Sequence, residues 1–398
     1  MKHALLNASS SKRWLACPPS ARQEAKKENK SSSYADEGSF AHEVADNELK
    51  LKLGQITNED YMKGIDSFRN NTLYEQSLKD YVSQYVSLVM EKVNEARARG
   101  GHVEALTEQR YDFTNYVPEG FGTSDATIIS DGILEIVDLK YGVGVKVSAY
   151  DNPQMRLYAL GALSAFDCIY DIHTVKMTIA QIRCDFVTTE TLTVEELKRW
   201  GEEEVKPKAA LAYEGKGEYC PGDHCQFCRI KSECRARAEK NLEMANYEFQ
   251  DPALLSREDI NAILQTVEEL KAWAKDIWEY VSDQAINHEI RWDGFKVVRG
   301  KSNRAYADPN EIERILLAKG FKKKEIQVEP ELKGITAMEK LLGKKKFAEL
   351  LGEYIHKPEG KPTLVKADDP RPEIGGAESA KMDFDDDFLV ENGSGLLD

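Results

Sequence analysis

The sequence predicts an α/β protein in which helices flank a short mixed sheet, followed by a mainly helical C-terminal region. Three observations support this prediction. Apolar residues recur with helical spacing in the first hundred residues, then alternate as in strands, and Asp131-Gly132 separates two β-rich runs. Helices before and after a strand region are typical of a layered domain in which helices cover a sheet.

The N-terminal part of the chain is predicted to be helical. We expect helices at 11–26, 38–53 and 72–98, because apolar residues recur there every three or four positions. The glycine pair Gly100-Gly101 ends the third helix. The helical layer therefore precedes the sheet in the sequence.

The middle of the chain alternates as strands do. We expect strands at 103–113, 125–130 and 133–139, the last two joined as a hairpin, and another strand at 174–184. A helix at 153–166 separates the last two of these strands. Thr193 and Glu196 form a capping-box pattern for a helix that extends to about 211.

We divide the chain into a first domain at 1–245, a mainly helical domain at 246–357 and an acidic tail at 358–398. The second domain begins with a long helix from Ser256 to Asn287 that has an apolar stripe. A strand at 292–299, a helix after Asp308-Pro309 and two short helices follow. The tail is rich in Pro, Gly and Asp, and we expect it to be disordered.

Composition limits the class of protein. The chain lacks an apolar run of the roughly 20 residues that a membrane helix needs, and its N-terminus lacks a secretory apolar segment, so we expect a cytoplasmic protein with no membrane partner. In that reducing compartment, seven cysteines favour metal binding over disulfides.

The net charge does not decide whether the protein binds nucleic acid. The chain has 54 basic and 69 acidic residues, a formal charge of −15. Residues 367–398 contain ten acidic and two basic residues, so the tail carries −8 and the rest only −7. A bound cation or a local basic groove can still attract phosphate.

Two carboxylates and a lysine near the predicted hairpin indicate metal-dependent phosphodiester chemistry. Because side chains alternate along a strand, Asp138 and Lys140 share a face, and the neighbouring strand can bring Asp125 close to them. Carboxylates bind Mg²⁺ or Mn²⁺, and a lysine beside a metal-bound water can orient the nucleophile. An acidic-x-lysine tripeptide alone is common, and the upstream aspartate favours the functional interpretation.

Two further acidic residues lie on the same predicted strands. Glu135 is an odd number of positions from Asp138, so we expect it to face the opposite side of the sheet. Glu108, on the preceding strand, is an additional candidate metal ligand that we rank below the others.

These motifs resemble those of the PD-(D/E)XK nuclease superfamily, particularly its RecB/AddB-like exonuclease branch. Gly122 and Asp125 match the G-x-x-D pattern of that family, and Asp138-Leu139-Lys140 matches its acidic-x-Lys pattern. The resemblance covers about 1–240. It implies a nuclease core with a short mixed sheet flanked by helices.

The resemblance also implies roles for three residues outside the hairpin. His42, in a G-x-x-x-H setting after Gly38, would bind metal beside Asp125 and Asp138. Gln154 and Tyr158, in a Q-x-x-x-Y motif, would contact the DNA backbone or the scissile phosphate. Each of these residues, taken alone, has an ordinary structural explanation.

The implied activity is a Mg²⁺- or Mn²⁺-dependent DNA exonuclease that acts from a free end. The chain also looks like a family of phage-borne nucleases, which implies a role in phage replication or recombination in the host cell cytoplasm. Two alternatives stay open: a non-catalytic DNA-binding or recombination accessory protein, and a zinc-stabilised interaction protein.

The cysteines form a second candidate site. Cys225 and Cys228 have the C-x2-C spacing of zinc and iron–sulfur sites, and Cys234 follows. With Cys220 they could form a zinc knuckle. The resemblance to RecB-like nucleases implies instead that Cys17 joins them to hold a [4Fe–4S] cluster, an iron–sulfur staple, and we favour this set.

Two expectations concern the other cysteines and the end of the chain. Cys168 and Cys184 lie in apolar sequence, and we expect them in the core. The segment 382–389 mixes aspartates with phenylalanines and resembles tails that recruit protein partners, but we favour a simple solubilising tail because acidic ends are common.

Overall fold

Helices pack against both faces of a five-stranded sheet in the first part of the chain. The computed structural model describes residues 4–28, 33–130, 132–243, 256–300, 304–328, 331–356, 360–367, 369 and 371–374. The chain divides into two compact units, Met1–Trp273 and Ala274–Asp398. The division falls inside a long helix, whereas the sequence-based boundary at 245–246 lies outside the described residues.

The helices of the first unit precede, interrupt and follow the sheet. They are α1 (Ser11–Ala16), α2 (Ser20–Glu24), α3 (Ser33–Lys52), α4 (Asn58–Phe68), α5 (Gln76–Arg99), α6 (Pro153–Phe166), α7 (Val194–Trp200), α8 (Lys206–Glu214), α9 (Arg235–Leu242) and the first part of α10 (Arg257–Asn287).

The sheet is mixed, as the sequence predicted. Its strands lie in chain order: β1 (Val103–Asp112), β2 (Phe121–Ser130), β3 (Gly132–Leu139), β4 (Ile172–Gln181) and β5 (Phe186–Thr193). Neighbours are antiparallel except β3 and β4, which are parallel and connected by a crossover that contains α6. This topology places the N-terminus of α6 after the C-terminal end of β3.

Two apolar layers cover the sheet. One contains residues of α3 and α5 with Ala126, Ile128, Val137 and Leu139. The other contains residues of α6 to α8 and the N-terminal helices with Ile129, Leu134 and Ile136. Alternate residues of β2 and β3 therefore point to opposite faces, as the strand period requires.

The predicted N-terminal helix is interrupted. The sequence predicted one helix over 11–26, but α1 ends at Ala16 and α2 begins at Ser20. Proline restricts the residue before it and lacks an N–H, so Pro18 and Pro19 stop the helix. Cys17 accordingly has a non-helical backbone, with φ −135° and ψ 79°.

Other differences concern surface elements. The sequence missed α4, none of whose side chains is buried, and it missed β5 at the edge of the sheet. The predicted helix after Thr193 exists and has the full capping box, but Gly201–Val205 between α7 and α8 is a π-helical turn. The apolar stripe expected along α10 is partly solvent-exposed: Ile260 is 47% exposed.

The second unit combines short helices and strand pairs. Its elements after α10 are β6 (Phe295–Arg299), β7 (Ala305–Tyr306), α11 (Pro309–Ala318), α12 (Lys323–Ile326), β8 (Gln327–Val328), β9 (Glu331–Leu332), α13 (Ile335–Leu342), α14 (Lys344–Leu351), β10 (Ile355–His356) and β11 (Pro362–Lys366). Ile312, Leu316, Met338 and Leu351 are central to its core.

The predicted start of the disordered tail, at residue 358, is too early in the sequence. Strand β11, at Pro362–Lys366, pairs with β6 and lies inside the segment 358–398 that composition assigned to the tail. Its Thr363, Leu364 and Val365 supply the β-forming residues that the overall composition conceals. The aromatic and acidic segment 382–389 lies outside the described residues. Among the described helices, none is both long and apolar enough to span a membrane.

Candidate functional site

The predicted acidic residues lie where β2 and β3 separate. The antiparallel pairing of these strands ends at Ala126 and Val137, so Asp125 and Asp138 are the next residues outward. Val137 and Leu139 point into the α3/α5 layer, and Asp138 therefore points to the opposite face, towards α6. Asp138 is almost fully buried, with 2% exposure.

Glu135 faces away from this site, as its position in the strand predicted. Its carboxylate accepts a hydrogen bond of 2.5 Å from Lys92 Nζ of α5, on the other side of the sheet. This ion pair accounts for the presence of a glutamate at a buried strand position, and no catalytic role is needed to explain it.

Four predicted residues form one polar network. Lys140 Nζ lies 2.9 Å from Asp138 Oδ2 and donates to Gln154 Oε1 at 3.1 Å. Gln154 Nε2 donates to the hydroxyl of Tyr158 at 2.9 Å and contacts Asp138 Oδ1 at 3.5 Å. The strand and the helix therefore converge through their polar side chains.

The start of α6 is defined by local sequence. Asn152 caps the helix by accepting from the backbone N–H groups of Gln154 and Met155, and Pro153 occupies the first turn. This cap places Gln154 in the first turn of the helix and Tyr158 one turn later. Their spacing of four residues puts both side chains on one side of α6.

Gly122 of the G-x-x-D motif makes room for Tyr158. A Cβ atom at Gly122 would lie 2.6 Å from Cε1 of the Tyr158 ring. A contact this short requires the ring to move. The motif glycine thus has a packing function at the site.

Asp125 connects the network to α3. Its Oδ1 lies 2.9 Å from His42 Nδ1, and its Oδ2 accepts a 2.6 Å hydrogen bond from the backbone N–H of Leu139. Leu139 lies between Asp138 and Lys140, so this bond fixes Asp125 beside both.

Glu108 completes a compact group of potential ligands. One donor atom from each of His42, Glu108 and Asp125 lies within 4.8 Å of the other two. Asp138 is outside this trio, because its carboxylate is directed towards Lys140 and Gln154. The sequence ranked Glu108 below the other candidate metal ligands. Its position beside His42 and Asp125 makes it a stronger candidate than that ranking indicated.

The backbone of Glu108 is unusual. The β1–β2 pairing skips Glu108 and Asp125, and Glu108 has a φ of 46° in the left-handed region. A glutamate in this region is conformationally costly, and such strain is concentrated at functional sites. The irregularity directs the two carboxylates to the same place.

Protons are held tightly in this site. Burial opposes protonation of His42, but the charge and the hydrogen bond of Asp125 outweigh it and raise the pKa of His42 to about 9. Partial desolvation and the charge of Asp125 raise the pKa of Glu108 to about 7.

The buried pair of Asp138 and Lys140 is also shifted. Burial raises the pKa of Asp138, although the charge of Lys140 opposes this shift. Burial alone would lower the pKa of Lys140, but the charge and hydrogen bond of Asp138 raise it, so the lysine stays protonated.

The donor set suits a divalent cation. Carboxylate oxygens are the ligands that Mg²⁺ and Mn²⁺ prefer, and an imidazole suits Mn²⁺. Asp138 Oδ2 is buried, and its partner among the described residues is the Lys140 ammonium, whose Nζ lies 2.9 Å away.

Asp46 is a neighbour that sequence reasoning missed. It lies one helical turn after His42 on α3, pairs with Lys50 at 2.6 Å, and its charge contributes to the raised pKa of Glu108. Its Oδ1 is buried without a hydrogen bond among the described residues. The spacing of four from His42 was the available signal.

The cysteine motif forms a second, separate cavity. Its wall includes the four cysteines of the favoured set, Cys17, Cys225, Cys228 and Cys234. Cys220 also lines the cavity. Cys17, Cys225 and Cys228 are buried, Cys234 is half-buried and Cys220 is exposed. The chain therefore brings Cys17 together with cysteines more than two hundred positions later.

Polar contacts reinforce this closure. Glu24 of α2 accepts a 2.6 Å hydrogen bond from Arg13 Nε and a 2.8 Å hydrogen bond from the backbone N–H of Arg229. Burial raises the pKa of the Cys17 thiol, and a hydrogen bond from the backbone of Cys220 partly offsets this effect. Cys220 thus influences Cys17 through its main chain.

The spacing of the sulfurs bears on what the cavity fits. Among the described residues, no three cysteine sulfurs lie within 4.8 Å of one another. Zinc–sulfur bonds of about 2.3 Å in a tetrahedron would hold sulfurs roughly 3.8 Å apart. In a [4Fe–4S] site the cysteine thiolates surround an iron–sulfur cube, so their sulfurs lie farther apart than those around a single zinc ion.

His224 is a further potential donor in the cysteine cavity that the sequence did not reveal. It lines the cavity, and its Nε2 is buried without a hydrogen-bond partner among the described atoms. Burial lowers the pKa of His224, and the neighbouring cations of Arg13 and Lys12 lower it further. A neutral imidazole with a free nitrogen is compatible with a metal centre.

Two expectations about the remaining cysteines were wrong. Cys168 is exposed and Cys184 is half-buried, because both lie in connections after α6 and β4 and not in the core. Arg237, which also lines the cysteine cavity, is 0% exposed, and its Nε lies 2.7 Å from Glu269 of α10.

A family model described as "Protein of unknown function (DUF2800)" matches residues 3–372. The crystal structure of a "Putative exonuclease" from Eubacterium rectale is 11% identical, with a TM-score of 0.34 over 58% of this chain and 88% of that one. The crystal structure of SSO0001 is also 11% identical, with a TM-score of 0.24 over 57% and 95% of the two chains. Similarities this weak carry no functional conclusion.

Proposed function

We propose that this chain, which belongs to the DUF2800 family, is a metal-dependent deoxyribonuclease of the PD-(D/E)XK type. One observation carries the proposal: a single polar site, where β2 and β3 separate and α6 begins, contains Asp125, Asp138, Lys140, Gln154 and Tyr158.

In this proposal the carboxylates hold Mg²⁺ or Mn²⁺. Asp125 and Asp138 are the proposed central ligands, with His42 beside them, and Glu108 is an additional candidate because it lies within 4.8 Å of His42 and Asp125. A bound divalent ion would polarise the scissile phosphate and lower the pKa of a water molecule.

The remaining groups position the reactants. Lys140 stays protonated, so its role is to orient the nucleophilic water and to stabilise negative charge that develops on the phosphate. Gln154 holds the Lys140 ammonium through its Oε1 and the Tyr158 hydroxyl through its Nε2. Displacement of either contact by a phosphate oxygen would couple substrate binding to the position of the lysine.

The cysteine site has a structural role in this proposal. We propose that Cys17, Cys225, Cys228 and Cys234 hold a [4Fe–4S] cluster, with zinc as the alternative. The cluster would connect α1 to the segment before α9 and would constrain the unfolded chain by closing a long loop. Catalysis requires no electron from it.

The substrate and context follow from sequence resemblance. We propose a DNA strand with a free end as the substrate, which makes the enzyme an exonuclease, and phage replication or recombination as the setting. The acidic segment 382–389 is the proposed contact for a protein partner.

The decisive experiment compares cleavage by wild-type protein and Lys140→Ala. Labelled single- and double-stranded DNA is incubated with Mn²⁺ or Mg²⁺, and the variant is expected to lose at least about 100-fold in rate. Lys198→Ala is the control, because Lys198 is a surface lysine paired only with Asp167 in the described structure at 2.7 Å.

The outcome separates the proposal from its alternatives. Cleavage by wild type and Lys198→Ala but not by Lys140→Ala supports the assigned site. Equal cleavage by all three proteins indicates a contaminating nuclease and rejects it. DNA binding without cleavage by the metal-loaded wild type would favour the non-catalytic accessory protein.

A further inference from the structure

The loop after Lys140 presents apolar side chains to solvent. Val143 is 51% exposed, Val145 is 55% exposed and Tyr150 is 62% exposed. This loop begins directly after Lys140 and ends at the cap of α6, just before Gln154. These three side chains, called the apolar ridge below, lie within eight residues in a loop whose two ends adjoin the polar site. Exposed apolar side chains beside a polar site are typical of binding surfaces.

The first half of the loop is fixed by Gln181 of β4. This side chain is 1% exposed and binds the loop backbone three times. It donates to the carbonyl oxygens of Gly142 at 2.6 Å and Val145 at 2.9 Å, and it accepts from the N–H of Val147 at 3.0 Å. A buried amide satisfied in this way holds the valines in place.

The second half is fixed to β5. The backbone N–H of Ala149 donates to Thr188 Oγ1 at 2.9 Å, and that of Asp151 donates to Glu190 Oε1 at 3.0 Å. Arg156 of α6 lies 2.6 Å from Glu190 and 2.7 Å from Asp151, which ties the loop end to the catalytic helix. A ridge ordered before binding loses little conformational entropy when it binds.

We propose that Val143, Val145 and Tyr150 contact unstacked nucleobases at the end of a DNA strand. This inference rests on the proposed function and specifies its substrate. Nucleobases have apolar faces that stack on aromatic rings and pack against aliphatic wedges, whereas the sugar–phosphate backbone is charged. An apolar ridge beside a phosphodiester site is therefore complementary to exposed bases.

The charge of the loop agrees with this assignment. Lys146 lies between the two valines and Tyr150, and its Nζ is 5.0 Å from the centre of the Phe186 ring. The loop thus supplies one cation for the phosphate next to the bases. The bases at an unpaired end are exposed, whereas those inside a duplex are stacked and paired, so the assignment favours an unpaired end.

The test measures binding without cleavage. Wild-type protein in Ca²⁺ is titrated into a single-stranded oligonucleotide that carries 2-aminopurine at its end, and fluorescence reports contact with that base. The double variant Val143→Ser/Val145→Ser and the variant Tyr150→Ala are each expected to bind at least about fivefold more weakly, with a smaller fluorescence change. Tyr150→Phe retains the aromatic ring and is expected to match wild type.

Two controls separate base contact from other effects. Ile169→Ser changes a residue that is 69% exposed beyond the opposite end of α6, and it is expected to bind like wild type. A strand ending in an abasic residue removes the base but keeps the phosphate. Wild-type protein is expected to bind it about as weakly as the loop variants bind the normal strand.

The results distinguish this inference from the proposed function. If the loop variants bind and cleave like wild type, the ridge does not contact bases. The same follows if they lose as much affinity for strands with an abasic end as for strands with a normal end. In both cases the nuclease proposal stands. If wild type neither binds nor cleaves DNA, the proposed function fails and the inference fails with it.

Discussion

His42 and Glu108 hold protons in the metal-free protein at positions where a cation needs lone pairs. The pKa of His42 is raised to about 9 and that of Glu108 to about 7. A cation that binds at these residues must displace those protons. The site is therefore expected to couple metal binding to pH.

We predict that Mn²⁺ binding strengthens as pH rises from 7 to 9. Because His42 releases one proton, the apparent Kd is expected to fall by about tenfold per pH unit in this range. Titration calorimetry in buffers of different ionisation enthalpy measures the released proton. His42→Ala is expected to flatten the dependence, and a Kd that does not change with pH in wild type would contradict the assignment.

A second prediction concerns the stability of the metal-free protein. The raised pKa of Glu108 means that the folded state binds its proton more tightly than the unfolded state. Its contribution to stability is therefore present below about pH 4.5 and is lost as pH rises to about 7. Glu108→Gln is expected to raise the Tm at pH 8 in EDTA by about 1–2 °C.

The matched measurement for this variant is made at low pH. At pH 4.5 the Tm difference between Glu108→Gln and wild type is expected to shrink towards zero, because both side chains are then neutral. A stabilisation of equal size at both pH values would show that its cause is not the titration of Glu108.

Gly122 gives a third prediction, on the packing of a single atom. Gly122→Ala places Cβ 2.6 Å from the Tyr158 ring and is expected to move the ring away from Gln154. Cleavage is expected to fall by about tenfold or more. Gly334→Ala is the control, because a Cβ there meets nothing within 4 Å. Equal activities in the two variants would show that the Tyr158 position is unimportant.

At the scale of elements, strong local signals were sufficient for prediction. The β2–β3 hairpin follows from the Asp131-Gly132 signal, and α6 matches its predicted bounds because Asn152 caps it and Pro153 begins it. Strand β5 was missed because its sequence, rich in threonine and at the sheet edge, is only partly buried. Helix α4 was missed although Tyr61, Ile65 and Phe68 recur with helical spacing, and none of its side chains is fully buried.

The candidate site was predictable in part for the same reason. Strand alternation was enough to place Asp138 and Lys140 on one face and Glu135 on the other. It could not show that Glu108 lies with His42 and Asp125, because that arrangement depends on the left-handed backbone of Glu108 and the packing of α3. Long-range packing likewise determines that His224 lines the cysteine cavity.

The cysteine segment carries the fourth prediction. Cys17→Ser is expected to lose iron and the broad absorption near about 400 nm of an anaerobic preparation, whereas Cys220→Ser is expected to retain both. The reason is that Cys17 is buried in the cavity wall and Cys220 is exposed. Iron and sulfide analysis checks this result. The reverse pattern would assign Cys220 as the ligand. A colourless protein that contains stoichiometric zinc would show that the site binds zinc and not an iron–sulfur cluster.

At the scale of the whole molecule, charge and chemistry are separated along the chain. The candidate site lies entirely in the first unit, between His42 and Tyr158, whereas acidic residues accumulate after Ala367. The overall charge of −15 is thus a poor guide to the field at the site. Composition identified the acidic end but did not reveal that Pro362–Lys366 forms a strand of the second unit.

We predict that removal of residues 375–398 leaves cleavage within about twofold of wild type and the Tm within about 1 °C. The deleted segment contains seven acidic residues and one lysine, so DNA affinity at low salt is expected to rise slightly. Cleavage rates and salt-dependent binding by the shortened and full-length chains measure this effect. A large loss of cleavage would place part of the function in the removed segment.

The position of Cys17 has a consequence for biosynthesis. During translation Cys17 emerges from the ribosome well before Cys234. The strands of the sheet and α6 emerge between the two cysteines. The shared cavity cannot form before Cys234 has emerged. The proposed cluster would therefore be loaded late in maturation, and a chain truncated before residue 234 would contain the acidic centre without the cysteine cavity.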